Sequence, residues 1–591
     1  MLHLSENYID YSIVALYMLA VVGIGVYFSR DKKNAETYLL GGRALPAWVI
    51  GIACMMSMLS SISMVSGPGE IFNYGWTLGF LGSIFYPLLS IPAYFLFAKF
   101  YFKLGSFTPY EYLEYRYDKG IRGVVAFSSF YLRVIYIGMV LYTSAKIFEG
   151  AFNWPAWFSI ILTALIGIAS CFMGGSKAVV WTDVFQAFLT FGGLLTVIII
   201  ACWKIDGGLF TAVDTALADG HGIPHFSQAD FYKFHPYERL LFWMLLWNVV
   251  NNVLVDACSN QVTIQRILSC KNFWEGLKSQ LYSNGLAMCS SLLLLLIGWS
   301  LYSFYKFNPT PEIVQGKGDL ALFYFIKHYV PQPFSGLFMA AMFAAIMSTI
   351  SGVVNSMAGV WVKEFHIRFI NKNVTPEKEY QLLRTSTLVI GAIGITLALA
   401  IDFAGKWLSQ TVSEVGTIFY LLGSAILPAY LFAVLSRRAN SKLIWATTLF
   451  AFGEGISSNV WYTLSRHSRQ VWEADHSAGF GWAGALEFKY IIPYIAITVI
   501  FSLPYIIKTT RKYLISKIMV LIGLMAAGAT AGMLVWYIFS NAMITDEPLA
   551  RSFAFTFPVP FILSCIILRF CPIQPEAKWR GLCLSDLKNS K

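Results

Sequence analysis

The residues best suited to chemistry stand in short polar runs set inside long apolar stretches. Residues 344–356 read AAIMSTISGVVNS, so Ser348, Ser351 and Asn355 recur at i, i+3 and i+7 and stack on one helical face, with Thr349 beside them. A row of neutral oxygens suits a hard cation such as sodium, although each hydroxyl can equally turn back onto a carbonyl of its own helix. Residues 55–70 read MMSMLSSISMVSGPGE, in which Ser57, Ser60, Ser61, Ser63 and Ser66 run into Gly67-Pro68-Gly69. Proline removes a backbone donor and glycine loosens the turn, so this stretch predicts a broken helix whose carbonyls near Leu59 to Val65 are freed toward a cavity. A small-residue face for helix packing is the other reading. Asp183 lies in GGSKAVVWTDVFQ, residues 174–186, five residues into an apolar run. A carboxylate at that depth marks an ion path or a buried partner, or pairs with Lys177 at the interface. Arg133 and Asp256 are the other charges of note inside apolar runs.

The elements that must carry these residues are membrane-spanning helices. The 43 Lys and Arg exceed the 32 Asp and Glu by 11, yet charged residues make up only 13% of the 591. Hydrophobic residues reach 57% with a mean hydropathy of +0.61, more than one globular core absorbs, which excludes an ordinary soluble enzyme. Fifteen runs, from 8–28 to 552–570, are long enough to cross about 30 Å of hydrocarbon as helices. The polar stretches fall in those at 47–72, 178–202 and 334–362, with Asp256 in the run at 239–264. Aromatic residues at 16% suit helix ends in the interfacial belts, whereas a β-barrel would show short alternating segments.

Alternate connectors hold 30 of the 43 basic residues, so the positive-inside rule predicts an outer N-terminus and a cytosolic C-terminus. Cysteines introduced at Ser5 and Ser590 test this: an impermeant thiol reagent on intact cells is expected to label only the first. Labelling of the second would mean that a span was miscounted. The first apolar run, preceded by Glu6 and containing Asp10, reads as a retained span and not a signal peptide. All eight histidines lie in polar connectors or near the N-terminus, and no CxxC spacing occurs among the nine cysteines, which argues against a haem or metal redox site. The absence of a GxxxxGK[ST] loop argues against ATP-driven transport by this chain, so any transport is expected to run on an ion gradient. Neither a nucleic-acid partner nor an obligatory oligomer is indicated.

Four stretches in order resemble the sodium:solute symporter family, whose members carry sugars, sialic acid, proline, vitamins and monocarboxylates. They are Gly41-Gly42-Arg43-Ala44-Leu45-Pro46, the 174–186 block, Asn260-Gln261-Val262-Thr263-Ile264-Gln265-Arg266 and the 344–356 block, supported by residues 108–116 and 437–440. The resemblance implies an all-α polytopic membrane protein with an inverted-repeat core of five plus five helices. The expected layout is a leading helix and cytosolic loop in 1–46, repeats in 47–264 and 265–436, trailing helices in 437–571 and a cytosolic tail in 572–591. It further implies a principal sodium site built from the carbonyls of Met56, Leu59 and Ala345 and the hydroxyls of Ser348 and Thr349. Asp183 with Ser348 and Ser351 would form a second sodium site or a release path, with Gly352 standing where a second site would favour a hydroxyl. Candidate solute contacts are Ser60, Ser61 and Ser63, Arg133 as a partner for a carboxylate, and Asn252 and Asp256.

The function implied is secondary active symport in the plasma membrane: sodium flows inward with a small organic solute, a sugar, sugar acid or other carboxylate, by alternating access. The alternative is a channel or ligand sensor on the same fold. A membrane enzyme lacks a clustered nucleophile, base or metal set.

Overall fold

The computed structural model describes residues 8–30, 34–152, 154–223, 229–232, 242–310, 318–408, 426–449, 565, 568, 571–579, 582 and 583. In chain order the helices are α1 (Tyr8–Phe28), α2 (Ala35–Leu40), α3 (Ala47–Met58), α4 (Ser61–Tyr74), α5 (Thr77–Leu104), α6 (Tyr110–Arg116), α7 (Lys119–Phe152) and α8 (Ala156–Trp203). There follow α9 (Gly208–Ala218), α10 (Phe242–Ser259), α11 (Gln261–Leu268), α12 (Phe273–Phe307), α13 (Gly318–Tyr329), α14 (Phe334–Val360), α15 (Pro376–Leu408) and α16 (Ile426–Leu435). Among the described residues seven helices are long and apolar enough to cross a membrane, or eight if the bent α3–α4 pair is one span. The trailing runs expected between 450 and 564 lie outside the described residues.

Three breaks shape the site. The α3–α4 span bends by 62°. The break falls at Leu59, whose φ of −87° and ψ of 87° leave the helical region, and Ser60 caps the new helix by accepting from the Ser63 amide at 3.4 Å. The break falls at the start of the Leu59–Val65 stretch whose carbonyls the sequence expects to be freed, while Gly67-Pro68-Gly69, the expected cause, lies within α4. A serine that can cap decides the position, and one missing proline donor is tolerated within the helix.

The run at 239–264, expected as one regular span, is also broken, at Asn260 between α10 and α11. Asn260 accepts from the Val262 amide at 3.2 Å, again a polar cap restarting a helix. The division expected between 264 and 265 therefore cuts through α11.

The third break, at Gly175 in α8, agrees with the expected separation of two spans near 174–177. At about 1.5 Å per residue an unbroken helix of 48 residues would extend roughly 72 Å, more than twice the hydrocarbon thickness. Gly175 adopts φ 59° and ψ −152°, and a Cβ there would lie 2.8 Å from Tyr38, so both conformation and space call for glycine.

The described residues fall into two compact units, one within Met1–Pro109, Arg133–Tyr232 and Val249–Ser409 and the other within Tyr110–Leu132, Lys233–Asn248 and Gln410–Lys591. In the first, α14 is the central element. Nearly every residue from Ser335 to Val360 is buried, and α14 packs on α8, α1, α15 and α3. The leading helix anchors its start: Asp10 accepts from the Ser335 hydroxyl at 2.6 Å and the Gly336 amide at 2.9 Å, placing an anion at the positive end of α14. Two turns further on, Tyr17 donates to the Met347 sulfur at 3.4 Å and accepts from Gln186 Nε2 at 2.9 Å.

In the second unit a C-terminal segment is fastened to earlier helices through backbone carbonyls. Arg116, 1% exposed, donates Nε to the Ala433 carbonyl at 3.0 Å, Nη1 to the Lys578 carbonyl at 3.3 Å and Nη2 to the Ser436 carbonyl. Tyr112 donates to the Leu582 carbonyl at 2.7 Å, Lys578 to the Tyr117 carbonyl at 2.8 Å, and Arg437 lies 4.4 Å from the Trp579 ring centre.

Candidate functional site

The site is built where α3, the second half of α8, α11 and α14 meet in the first unit. Asp183 is fully buried, and both its carboxylate oxygens are engaged. Oδ2 receives Arg266 Nη2 at 2.8 Å, and Oδ1 receives the Ser348 hydroxyl at 2.6 Å. Arg266, its side chain 4% exposed, donates Nη1 to the Ala53 carbonyl of α3 at 2.8 Å. One ion pair thus links four helices. Alongside it Gln265 Nε2 donates to Asn355 Oδ1 at 2.7 Å and to the Leu39 carbonyl at 2.6 Å.

Asp183 thus has a buried partner, one of the readings its depth suggests, and that partner is Arg266 and not Lys177. The pairing spans 83 positions, and a carboxylate buried in apolar surroundings is tolerated when a charged donor and a hydroxyl both reach it. The available signal was an arginine directly after a polar run in an apolar span. Every residue of α11, Arg266 included, is buried.

The hydroxyl face of α14 divides. Thr349 Oγ1 turns back to the Ala345 carbonyl at 3.0 Å and Ser351 Oγ to the Ser348 carbonyl at 3.3 Å, as hydroxyls in helices commonly do. Ser348 alone of the three reaches across to another helix. The Ala345 and Thr349 oxygens are near enough to be shared by one cation, since a hydroxyl that donates keeps its acceptor lone pairs. α3, which ends at Met58, packs on α14, and a helix end leaves its last four carbonyls without regular intrahelical donors. Of these the Met55 carbonyl takes the Leu59 amide at 3.1 Å. Met56 and Leu59 are buried at this end, 0% and 5% exposed.

A second polar cluster closes the α10–α11 break. Asp256, half-buried, receives Tyr94 and Tyr86 of α5 on Oδ2, the latter at 3.3 Å, and Asn260 and Thr263 on Oδ1, the latter at 3.1 Å. Four neutral donors match the acceptor capacity of a carboxylate, so Asp256 ties the break to α5. Tyr86 also lies 3.8 Å from the Met58 sulfur, beside the α3–α4 break.

Of the other candidate solute contacts, Ser60 is buried and approaches Ser63 Oγ at 3.4 Å, and Ser61 begins α4. Asn252 is exposed on α10, one turn before Asp256. Arg133, half-buried on α7, lies 5.9 Å from the ring centre of Tyr136. Among the described residues no group of three or more His, Cys, Asp or Glu side chains is placed to hold a metal ion.

The profile of the sodium:solute symporter family matches residues 38–447. The sodium/sialic acid symporter NanT of Aliivibrio fischeri is 27% identical over 446 residues, 73% of this chain and 84% of that protein. The human sodium-coupled monocarboxylate transporter 1 is 26% identical over 449 residues, 73% and 70% of the two chains. The sodium-dependent multivitamin transporter of Oryctolagus cuniculus is 28% identical over 467 residues, 76% and 71%. A solved structure of a sodium-coupled sialic acid symporter, substrate-bound and outward-open, matches with a TM-score of 0.68 at 24% identity, covering 76% of this chain and 91% of that one.

Proposed function

Since the chain belongs to the sodium:solute symporter family, a multi-pass membrane carrier that couples sodium entry to uptake of a small organic solute, we propose that its solute is a carboxylate held at the breaks in α3–α4 and α10–α11. The observation that carries this reading is the pair of broken helices, each restarted by a polar cap, with α3 packed on α14, the helix that bears Ser348 and Thr349. Broken helices of this kind supply backbone polar groups at mid-membrane depth without leaving them exposed to lipid.

Sodium is the co-transported ion. In this reading it takes the carbonyls of Met56, Leu59 and Ala345 and the hydroxyls of Ser348 and Thr349, bridging α3 to α14. That bridge fixes the broken helix and completes the solute pocket, to which Ser60, Ser61, Ser63 and Asn252 contribute polar groups. Asp256 positions the pocket wall through Tyr86 and Tyr94. Release of sodium inward, past Asp183 and Ser351, frees α3 from α14 and lets the core open on the cytosolic side. The core comprises two halves of five spans, each beginning with a broken helix, so that the second half starts at α10 and not at 265. The membrane is the plasma membrane, with the N-terminus outside.

Arg133 receives the carboxylate of the solute. In proteoliposomes, an inward sodium gradient is expected to drive accumulation of at least one acid from a radiolabelled panel containing sialic acid, pyruvate, lactate and biotin, with glucose as the uncharged control. Arg133→Gln is expected to raise KM for that acid by roughly 10- to 100-fold, the loss of a charge-assisted hydrogen bond of about 1.5–3 kcal/mol, with kcat less affected. Glucose uptake to the exclusion of every acid would overturn the carboxylate assignment. Downhill flux indifferent to sodium would favour a channel.

A further inference from the structure

We propose that the turn at His221 is an acid-released clamp: while its imidazole is neutral it ties the far end of α4, at Gly75 and Trp76, to α9 and α12, and protonation of the ring frees that end. The bonds of the clamp run through backbone. The His221 carbonyl accepts from Trp299 Nε1 of α12 at 2.8 Å, and the His221 amide donates to the Ala216 carbonyl of α9 at 2.8 Å. The next residue reaches the broken span itself, since the Gly222 carbonyl accepts the Trp76 amide at 3.1 Å. Gly75 passes so close that a Cβ there would lie 2.8 Å from the His221 backbone. Because α9 follows directly on α8, and α8 packs on α14, the turn joins the ends of α4 and α12 to the α8–α14 pair. Any movement of the α4 end away from α8 must stretch or break these bonds.

The ring in this turn is poorly placed to carry a charge. His221 is 8% exposed, its ring centre lies 3.9 Å from that of Tyr302, and neither nitrogen makes a hydrogen bond of ordinary geometry. Tyr302 and Trp76 in turn pack on a buried apolar cluster of Ile71, Ala216, Leu295 and Trp299. Burial is the largest influence and pushes the imidazole below its ordinary value, against the Asp219 carbonyl and carboxylate and the Phe72 carbonyl, which favour a charged ring. Asp219 is itself engaged by Lys306 at 2.5 Å and by Tyr302 at 2.8 Å, which hold it below the usual carboxylate range, so it does not titrate with the histidine. On the other elements around the ring, α12 presents Trp299 and Tyr302 with Lys306 one turn further on, α9 presents Ala216, and α4 and its cap present Phe72 and Gly75. A released turn gives the ring to water and restores its ordinary value of about 6.5, so the released state takes up a proton more readily than the clamped one. The clamp is therefore complete above that pH and is lost as pH falls below it. With the N-terminus outside, as proposed above, this end of α4 faces the outer medium, and the proton comes from there.

Amide hydrogen exchange of the purified full chain in detergent, read by mass spectrometry as protection relative to unstructured amides at the same pH, tests the clamp with no solute present. On going from about pH 7.5 to about pH 5.5, wild-type protection is expected to fall several-fold in the peptides that carry the Trp76 and His221 amides, while α14 keeps its protection. His221→Phe keeps a ring against Tyr302 but cannot take a proton, and it is expected to hold its protection across the same range. Unchanged wild-type protection, or an equal fall in His221→Phe, would overturn the proposal. So would a fall confined to residues 216–222 with Trp76 unmoved, since the turn would then open without freeing α4. Should His221→Phe fail to fold, His221→Gln makes the same comparison with a neutral side chain that does not titrate. Neither the identity of the solute nor the sodium site enters these outcomes, so a failure here leaves the symporter reading intact.

Discussion

Arg266→Gln is expected to destabilise the protein in sodium-free buffer by about 3–5 kcal/mol, the cost of leaving a buried carboxylate without its charged partner. Asp183 has no exposure to water, so it cannot recover by solvation. Ser348 donates only one neutral hydrogen bond to it. Thermal unfolding of the detergent-solubilised protein, followed by tryptophan fluorescence, is expected to show a clear drop in melting temperature. The drop shrinks as sodium is added, because an ion that binds only the folded state stabilises it. Asp183→Asn/Arg266→Gln removes both charges at once and is expected to recover most of the loss, since an amide pair of similar size leaves no buried charge unpaired. A double variant as unstable as Arg266→Gln would mean that the guanidinium matters chiefly through its bond to the Ala53 carbonyl.

Ser348→Ala is expected to raise the sodium concentration for half-maximal uptake by roughly 10- to 100-fold, corresponding to about 1.5–3 kcal/mol for a lost contact with a charged group. The substitution preserves the helix, because alanine has the highest helix propensity, and it removes one oxygen from the completely buried face of α14. Thr349→Ala is expected to act in the same direction while leaving Asp183 fully bonded. Ser348→Ala also deprives Asp183 Oδ1 of its donor, so its effect is expected to exceed that of Thr349→Ala. Sodium-dependence curves from proteoliposome uptake separate the two. Unchanged sodium dependence in a well-folded Ser348→Ala protein would remove this hydroxyl from the ion site.

The length of the apolar runs made the helical spans legible, and hydroxyl spacing marked the face of α14, because both are properties of a few consecutive turns. The places where helices break were harder to read. Gly67-Pro68-Gly69 has the composition of a breaker, yet the break sits at Leu59, where a capping serine restarts the chain. Asn260 interrupts a second span in the same way, and nothing in the run at 239–264 sets it apart from the three asparagines before it, Asn248, Asn251 and Asn252. The partner of Asp183 was the least legible feature. An arginine near the end of an apolar run looks like an interfacial charge until the fold brings residues 183 and 266 together. Charge counting assumes that basic residues stay in water, and Arg266 and Arg116 are both buried.

The clamp on Arg116 bears on how the chain is made. The arginine leaves the ribosome 317 and 320 residues ahead of the carbonyls of Ala433 and Ser436, and 462 ahead of that of Lys578. Through most of synthesis its guanidinium must be satisfied by water, lipid headgroups or an insertion factor. The last of these protein partners arrives only when Lys578 is made, so the cluster cannot close before that residue emerges. A nascent chain that stops before Lys578 leaves one donor of this buried arginine without its protein partner, at the end of a helix.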